Sequence, residues 1–196
     1  MMDSVWSLLT HGKGRAGRLR ALVGVCLVAC LCVGCAGWRS KAKPKYDIPV
    51  QDSVFEQWKF AVQLHAKFND PLYKEFREEN GNKTLAAYQK LVEAWPEATD
   101  YVNRSRLAMA LVTDGMGRRS DALAQYEKLR KELPNDDKVV VYCLYYSAQI
   151  YDSQKKYDKA QECYREIVRD YKDKKAPDIK EFVAHAEILR NQIHKR

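Results

Sequence analysis

Three stretches of equal length share one pattern: Asn82–Pro96 (NKTLAAYQKLVEAWP), Ser120–Pro134 (SDALAQYEKLRKELP) and Asp158–Lys172 (DKAQECYREIVRDYK). Tyr88, Tyr126 and Tyr164 recur at intervals of 38 residues. The same interval relates Leu91, Leu129 and Ile167, then Trp95, Leu133 and Tyr171, then Thr84, Ala122 and Ala160. Within each copy the four positions step by four, three and four, which places them on one face of a helix. Asn82, Ser120 and Asp158 stand just ahead of the stripes and are expected as N-caps, since their side chains accept hydrogen bonds from a first turn. Pro96 and Pro134 follow the stripe, where a helix stops; the third copy has Lys172 instead.

A second helix is expected before each of the later stripes, carried by Arg106–Val112 and Leu144–Ile150. Ala110, Ala148 and Ala186 keep the 38-residue interval, and a small residue recurring at one helical position permits a close crossing. Gly115 and Gly117 break the chain between the two helices of the middle copy. A final helix over 178–194 has no partner and reads as the cap of a stack. The first copy departs from the others, because Asn69-Asp70-Pro71 interrupts its first helix. The expected solution is a helix over Ser53–Phe68 and an inserted short helix and turn over 69–81. Repeats are thus expected at about 53–97, 103–136 and 141–174, inside a helical domain spanning 51–196.

Of the 196 residues, 46% are apolar and 31% charged, while Gly (9) and Pro (6) are few. That supports a folded helical core and excludes wholesale disorder or a chain of short strands. Of the net charge of +8, all but one lies in the N-terminal region, for residues 46–196 hold 26 Lys and Arg against 25 Asp and Glu. A body that near neutrality lacks the bias of a nucleic-acid binder, and no nucleic-acid partner is expected. His11, His65, His185 and His194 show no metal-ligand spacing. No Gly-rich phosphate loop or Ser/His/Asp signature occurs. No metal, cofactor, catalytic residue or enzymatic activity is therefore expected. Cys143 and Cys163 are open to two readings, small buried apolar side chains or, in an exported protein, a disulfide.

Ala21–Gly34 is an uncharged apolar run behind Lys13, Arg15, Arg18 and Arg20. A basic region before such a run is a secretory signal pattern. The run ends at Cys35, between Gly34 and Ala36, and resembles the lipobox of bacterial lipoproteins. That resemblance makes Cys35 the expected lipid-attachment residue and Cys30 its rival, within an address segment spanning 1–35. Placement would then be on the cell membrane or outer membrane, with the body facing the periplasm. The alternative is an uncleaved single-pass signal anchor with the body facing the cytosol, as four cations flank the run on each side. Residues 36–50, with Arg39, Lys41, Lys43, Lys45, Pro44 and Pro49, read as a basic tether.

The paired helices resemble tetratricopeptide repeats. The middle copy carries Ala110, Gly117, Ala122, Tyr126, Leu129 and Pro134 at that family's signature spacings. The third carries Ala148, Tyr151, Tyr157, Ala160, Tyr164 and Ile167, and the first retains Tyr88, Leu91 and Pro96. Two departures stand out. The period is four residues longer than the usual 34, about one helical turn. Arg106 and Leu144 also replace the family's first-helix Trp. The resemblance implies an all-α fold: a short right-handed α-solenoid of helix hairpins with two clear repeats, one degenerate repeat and a capping helix. It also implies a concave face formed by the first helices. Family ligand positions map to Arg104, Leu107 and Leu111, to Tyr142, Tyr145 and Gln149, and to Lys180, Val183 and Glu187. Tyr146 adds to the tyrosines, which either anchor a partner or pack between repeats. Long repeats with a lipid anchor are similar in architecture to envelope lipoproteins that support outer-membrane β-barrel assembly. The expected function is a membrane-tethered module that docks a protein, peptide or helix in its groove. The rival is a small-ligand carrier working with an envelope transporter.

Overall fold

A computed structural model describes residues 46–193. Cys35, Cys30, the stretch 36–45 and His194 lie outside the described residues. The compact helical unit begins at Tyr46, five residues ahead of the boundary expected at 51. Its described residues form α1 (Val54–Asn69), a 3₁₀ segment (Pro71–Phe76), α2 (Arg77–Ala94), α3 (Thr99–Gly115), α4 (Arg119–Glu132), α5 (Asp137–Ser153), α6 (Tyr157–Tyr171) and α7 (Pro177–Ile193). Each helix packs on its successor, and α1, α3, α5 and α7 also touch in series. The result is three helical hairpins and a lone last helix, a tetratricopeptide-like all-α repeat.

The 38-residue interval is visible as burial. Tyr88, Tyr126 and Tyr164 are all buried on second helices, as are Leu91, Leu129 and Ile167, and Thr84, Ala122 and Ala160. Ala110, Ala148 and Ala186 are buried on first helices. The loops keep the interval too. Ala98 N–H donates to the Trp95 carbonyl (3.0 Å), Asp136 N–H to Leu133 (3.2 Å) and Lys174 N–H to Tyr171 (3.1 Å). The third turn forms without the proline, because its closure is a backbone bond. The longer period goes into the first helices. Helices α3 and α5 each run 17 residues and start at Thr99 and Asp137, one turn ahead of the expected 103 and 141.

The expected caps are corrected. Ser120 and Asp158 are second residues of α4 and α6, and Asn82 lies inside α2. The N-cap positions belong to Arg118 and Lys156, with no side-chain cap bond. Backbone bonds already close the preceding turn, so the acids Asp121 and Asp158 serve the first turn through the helix dipole instead. Side-chain caps occur elsewhere. Ser53 Oγ accepts from Glu56 N–H (3.2 Å) and Asp136 Oδ1 from Val139 N–H (3.1 Å). The insertion expected over 69–81 shrinks to the 3₁₀ segment, since α2 begins at Arg77. Its first turns pack on α1 and α3. A Cβ built on Gly115 would stand 2.8 Å from the Phe68 ring, so glycine permits this approach. Arg77 lies over the same ring, 4.7 Å from its centroid, and donates to the Gly115 carbonyl at 3.1 and 3.2 Å. That contact satisfies one of the orphan carbonyls at the end of α3.

Candidate functional site

The first helices α3, α5 and α7 carry every expected groove residue. The structure sorts them by exposure. Lys180 and Glu187 are exposed, and Arg104, Leu111 and Gln149 are half-buried. Leu107, Val183, Tyr142 and Tyr145 are buried, the two tyrosines completely. These four therefore line the core instead of an open groove. The cause is α7. Its residues Ile179, Phe182, Val183 and Ala186 follow helical spacing and are all buried, so α7 lays one apolar stripe on α5 and α6. The Phe182 ring lies 4.4 Å from Tyr142 and 4.7 Å from Tyr145, centroid to centroid. Tyr145 also meets Tyr164 edge-on at 6.2 Å.

Tyr146 is the tyrosine of this group left half-exposed. Its ring stacks on Tyr126 at 6.3 Å and meets Tyr145 edge-on at 5.5 Å. Burial raises the pKa of its hydroxyl, with Tyr145 and the charges of Asp114 and Glu181 adding to the shift. Tyr146 thus stands within electrostatic reach of α3, α5 and α7 together. Burial likewise raises the Asp114 carboxyl, opposed by Arg119. Tyr145, though buried, keeps a hydrogen bond to Gln149. The surface that remains is a strip of Leu111, Asp114, Tyr146 and Gln149, floored by closed aromatic packing. Asp114 escaped the sequence reading; its one available signal was the 38-residue interval to Asp152.

The opposite helices offer clefts of different chemistry. A cleft of about 650 Å³ between α4, α5 and α6 is lined by Glu127, Arg130, Lys159, Glu162 and Glu166, with Tyr151 and Cys163. A smaller one of about 350 Å³ shares Glu127, Arg130 and Glu166. The Arg130–Glu166 ion pair (2.7 Å) ties α4 to α6 at both. Such charged walls do not make the enclosed apolar pocket a small-ligand carrier would use. Cys143 and Cys163 are free thiols. Burial pushes the first up to about 12 and the second to about 11, so both stay protonated and weakly nucleophilic at neutral pH. Among the described residues no group of three His, Cys, Asp or Glu could hold a metal ion, and no helix is long and apolar enough to cross a membrane.

Comparison with known families agrees with this geometry. Residues 142–174, the third hairpin, match the family model described as tetratricopeptide repeat. No curated protein and no solved structure gives a match. The fold and the matched hairpin together define an all-α, tetratricopeptide-like helical repeat architecture. Repeats of that kind are protein–protein interaction modules and generally not catalysts.

Proposed function

We propose that the chain is a membrane-tethered scaffold or assembly factor of a bacterial cell envelope. It docks a partner peptide or helix on the strip formed by Leu111, Tyr146 and Gln149. One observation carries the docking surface. The first helices touch in series, yet these three side chains remain half-exposed above packing that α7 has otherwise closed. A half-exposed tyrosine on a rigid floor offers large contact area at small entropic cost. The tether rests on the sequence alone: a basic region, an apolar run and Cys35 or Cys30, with lipid chains as the membrane hold. An uncleaved signal anchor would reverse the side of the membrane and leave the body tethered.

Tyr142 and Tyr145 are unsuitable for testing this surface, because truncating them opens the core. Leu111→Arg with Gln149→Arg changes the strip at half-exposed positions. Cross-linked capture from native membranes would compare this full-length variant with wild type and with Lys131→Glu on exposed α4. Loss of specific partners from the strip variant alone supports the reading, provided its melting matches wild type. Retention of every partner overturns it. Palmitate labelling of wild type, Cys35→Ala and Cys30→Ala tests the anchor; equal labelling in all three excludes both cysteines as the lipidated residue.

A further inference from the structure

We infer that the 3₁₀ segment Pro71–Phe76 is a membrane-contact site, seating Leu72, Tyr73 and Phe76 in the interface of a lipid bilayer. The inference rests on the tethered reading above. These side chains are 88%, 42% and 56% exposed, and every residue from 71 to 79 is exposed. The insertion therefore adds three large apolar groups to the chain and none of them to the core. The second and third hairpins turn in the few residues between their helices and carry no counterpart.

The segment is held in place. Asp70 Oδ1 accepts from Leu72 N–H (2.9 Å), and Tyr73 N–H donates to the Asp70 carbonyl (3.0 Å). At the other end Arg77 is fastened to the carbonyl of Gly115. Leucine and phenylalanine gain by leaving water for acyl chains, and tyrosine suits the level of the head groups.

Where the chain enters this unit selects a bilayer as the occupant. Tyr46, the first described residue, lies under Lys83 of α2, its ring centroid 5.9 Å from Nζ. Lys83 is six residues past the start of α2, about 9 Å along it. Tyr46 is thus at the 3₁₀ end of the first hairpin. Residues 47–53 run back to the opposite end, where Ser53 caps α1. Ten residues, 36–45, separate Cys35 from Tyr46 and span at most about 36 Å when extended. A chain held at the apolar run therefore leaves this end of the unit within reach of the bilayer. Lys74 and Arg77 stand among Glu75, Glu78 and Glu79, so apolar burial drives the contact and anionic lipid is not required.

The test uses full-length protein in phosphatidylcholine vesicles, with Leu72→p-benzoylphenylalanine or Phe76→p-benzoylphenylalanine. Ile188→p-benzoylphenylalanine on exposed α7 is the control. All three sites are solvent-exposed, so folding is preserved. Illumination is expected to give roughly tenfold more lipid adduct at 72 and 76 than at 188. Protein that floats with vesicles but gives no such excess overturns the inference and leaves the tether standing. Chain-to-chain adducts at 72 without lipid adducts overturn it in favour of a second copy. Protein that fails to float overturns the tether and this inference together.

Discussion

Gly117 and Lys155 hold the same left-handed turn 38 residues apart, with φ of 80° and 59°. The bonds around them correspond. Gly117 N–H donates to the Asp114 carbonyl (2.7 Å) and Arg118 N–H to Thr113 (3.1 Å). Lys155 N–H donates to Asp152 (2.9 Å) and Lys156 N–H to Tyr151 (2.9 Å). One turn geometry joins both hairpins, and glycine occupies it in only one. A side chain in this region costs about 1 kcal/mol. Lys155→Gly is therefore expected to be neutral to stabilising, the relief being partly offset by the looser unfolded chain. Gly117→Ala, which meets no atom within 4 Å, is expected to destabilise by about 1 kcal/mol through φ alone. Urea unfolding of both variants checks the contrast.

The repeated tyrosines differ at their hydroxyls. Tyr88 Oη shares a 3.1 Å hydrogen bond with His65 Nδ1, while the buried hydroxyl of Tyr126 has no partner. Tyr88→Phe removes a hydrogen bond between two buried groups and should cost about 1–2 kcal/mol. Tyr126→Phe removes an unpaired polar atom and should be neutral or slightly stabilising. Equal losses in denaturant melts would contradict this assignment.

His65 makes stability depend on pH. Burial lowers its pKa from 6.5 to about 4, so the folded state binds its proton less readily than the unfolded state. Its contribution is complete above pH 6.5, declines as pH falls and is lost below about pH 4. The span is about 3 kcal/mol as an order of magnitude. His65→Gln should lower stability at neutral pH and flatten this part of the profile. Unfolding free energies measured from pH 4 to 7.5 for both proteins test it.

Phe182 closes the tyrosine cluster from α7. Phe182→Ala is expected to cost about 3 kcal/mol and to weaken the near-ultraviolet circular dichroism of the tyrosines. An unchanged melt would mean that α7 does not cover Tyr142 and Tyr145.

Much of the fold was legible because periodic burial writes itself into the chain. Tyr126, Leu129 and their counterparts face inward in every copy, and a much smaller residue there would leave a cavity. The site was less legible. Tyr142 and Tyr146 share a helix and a residue type, and their separation into core and surface comes from a ring forty residues downstream. The caps misled for a related reason: Ser120 has the chemistry of a cap, but backbone bonds had already closed the turn before it.

Helix periodicity and charge are local properties of the chain, so the helical hairpins, their 38-residue interval and the near-neutral body are written in the amino acids themselves. Long-range packing sets which groove residues stay accessible, seals Tyr142 and Tyr145 beneath Phe182, and leaves Leu72, Tyr73 and Phe76 in solvent. Exposure is a property of what packs against a residue, and those neighbours are distant in the chain.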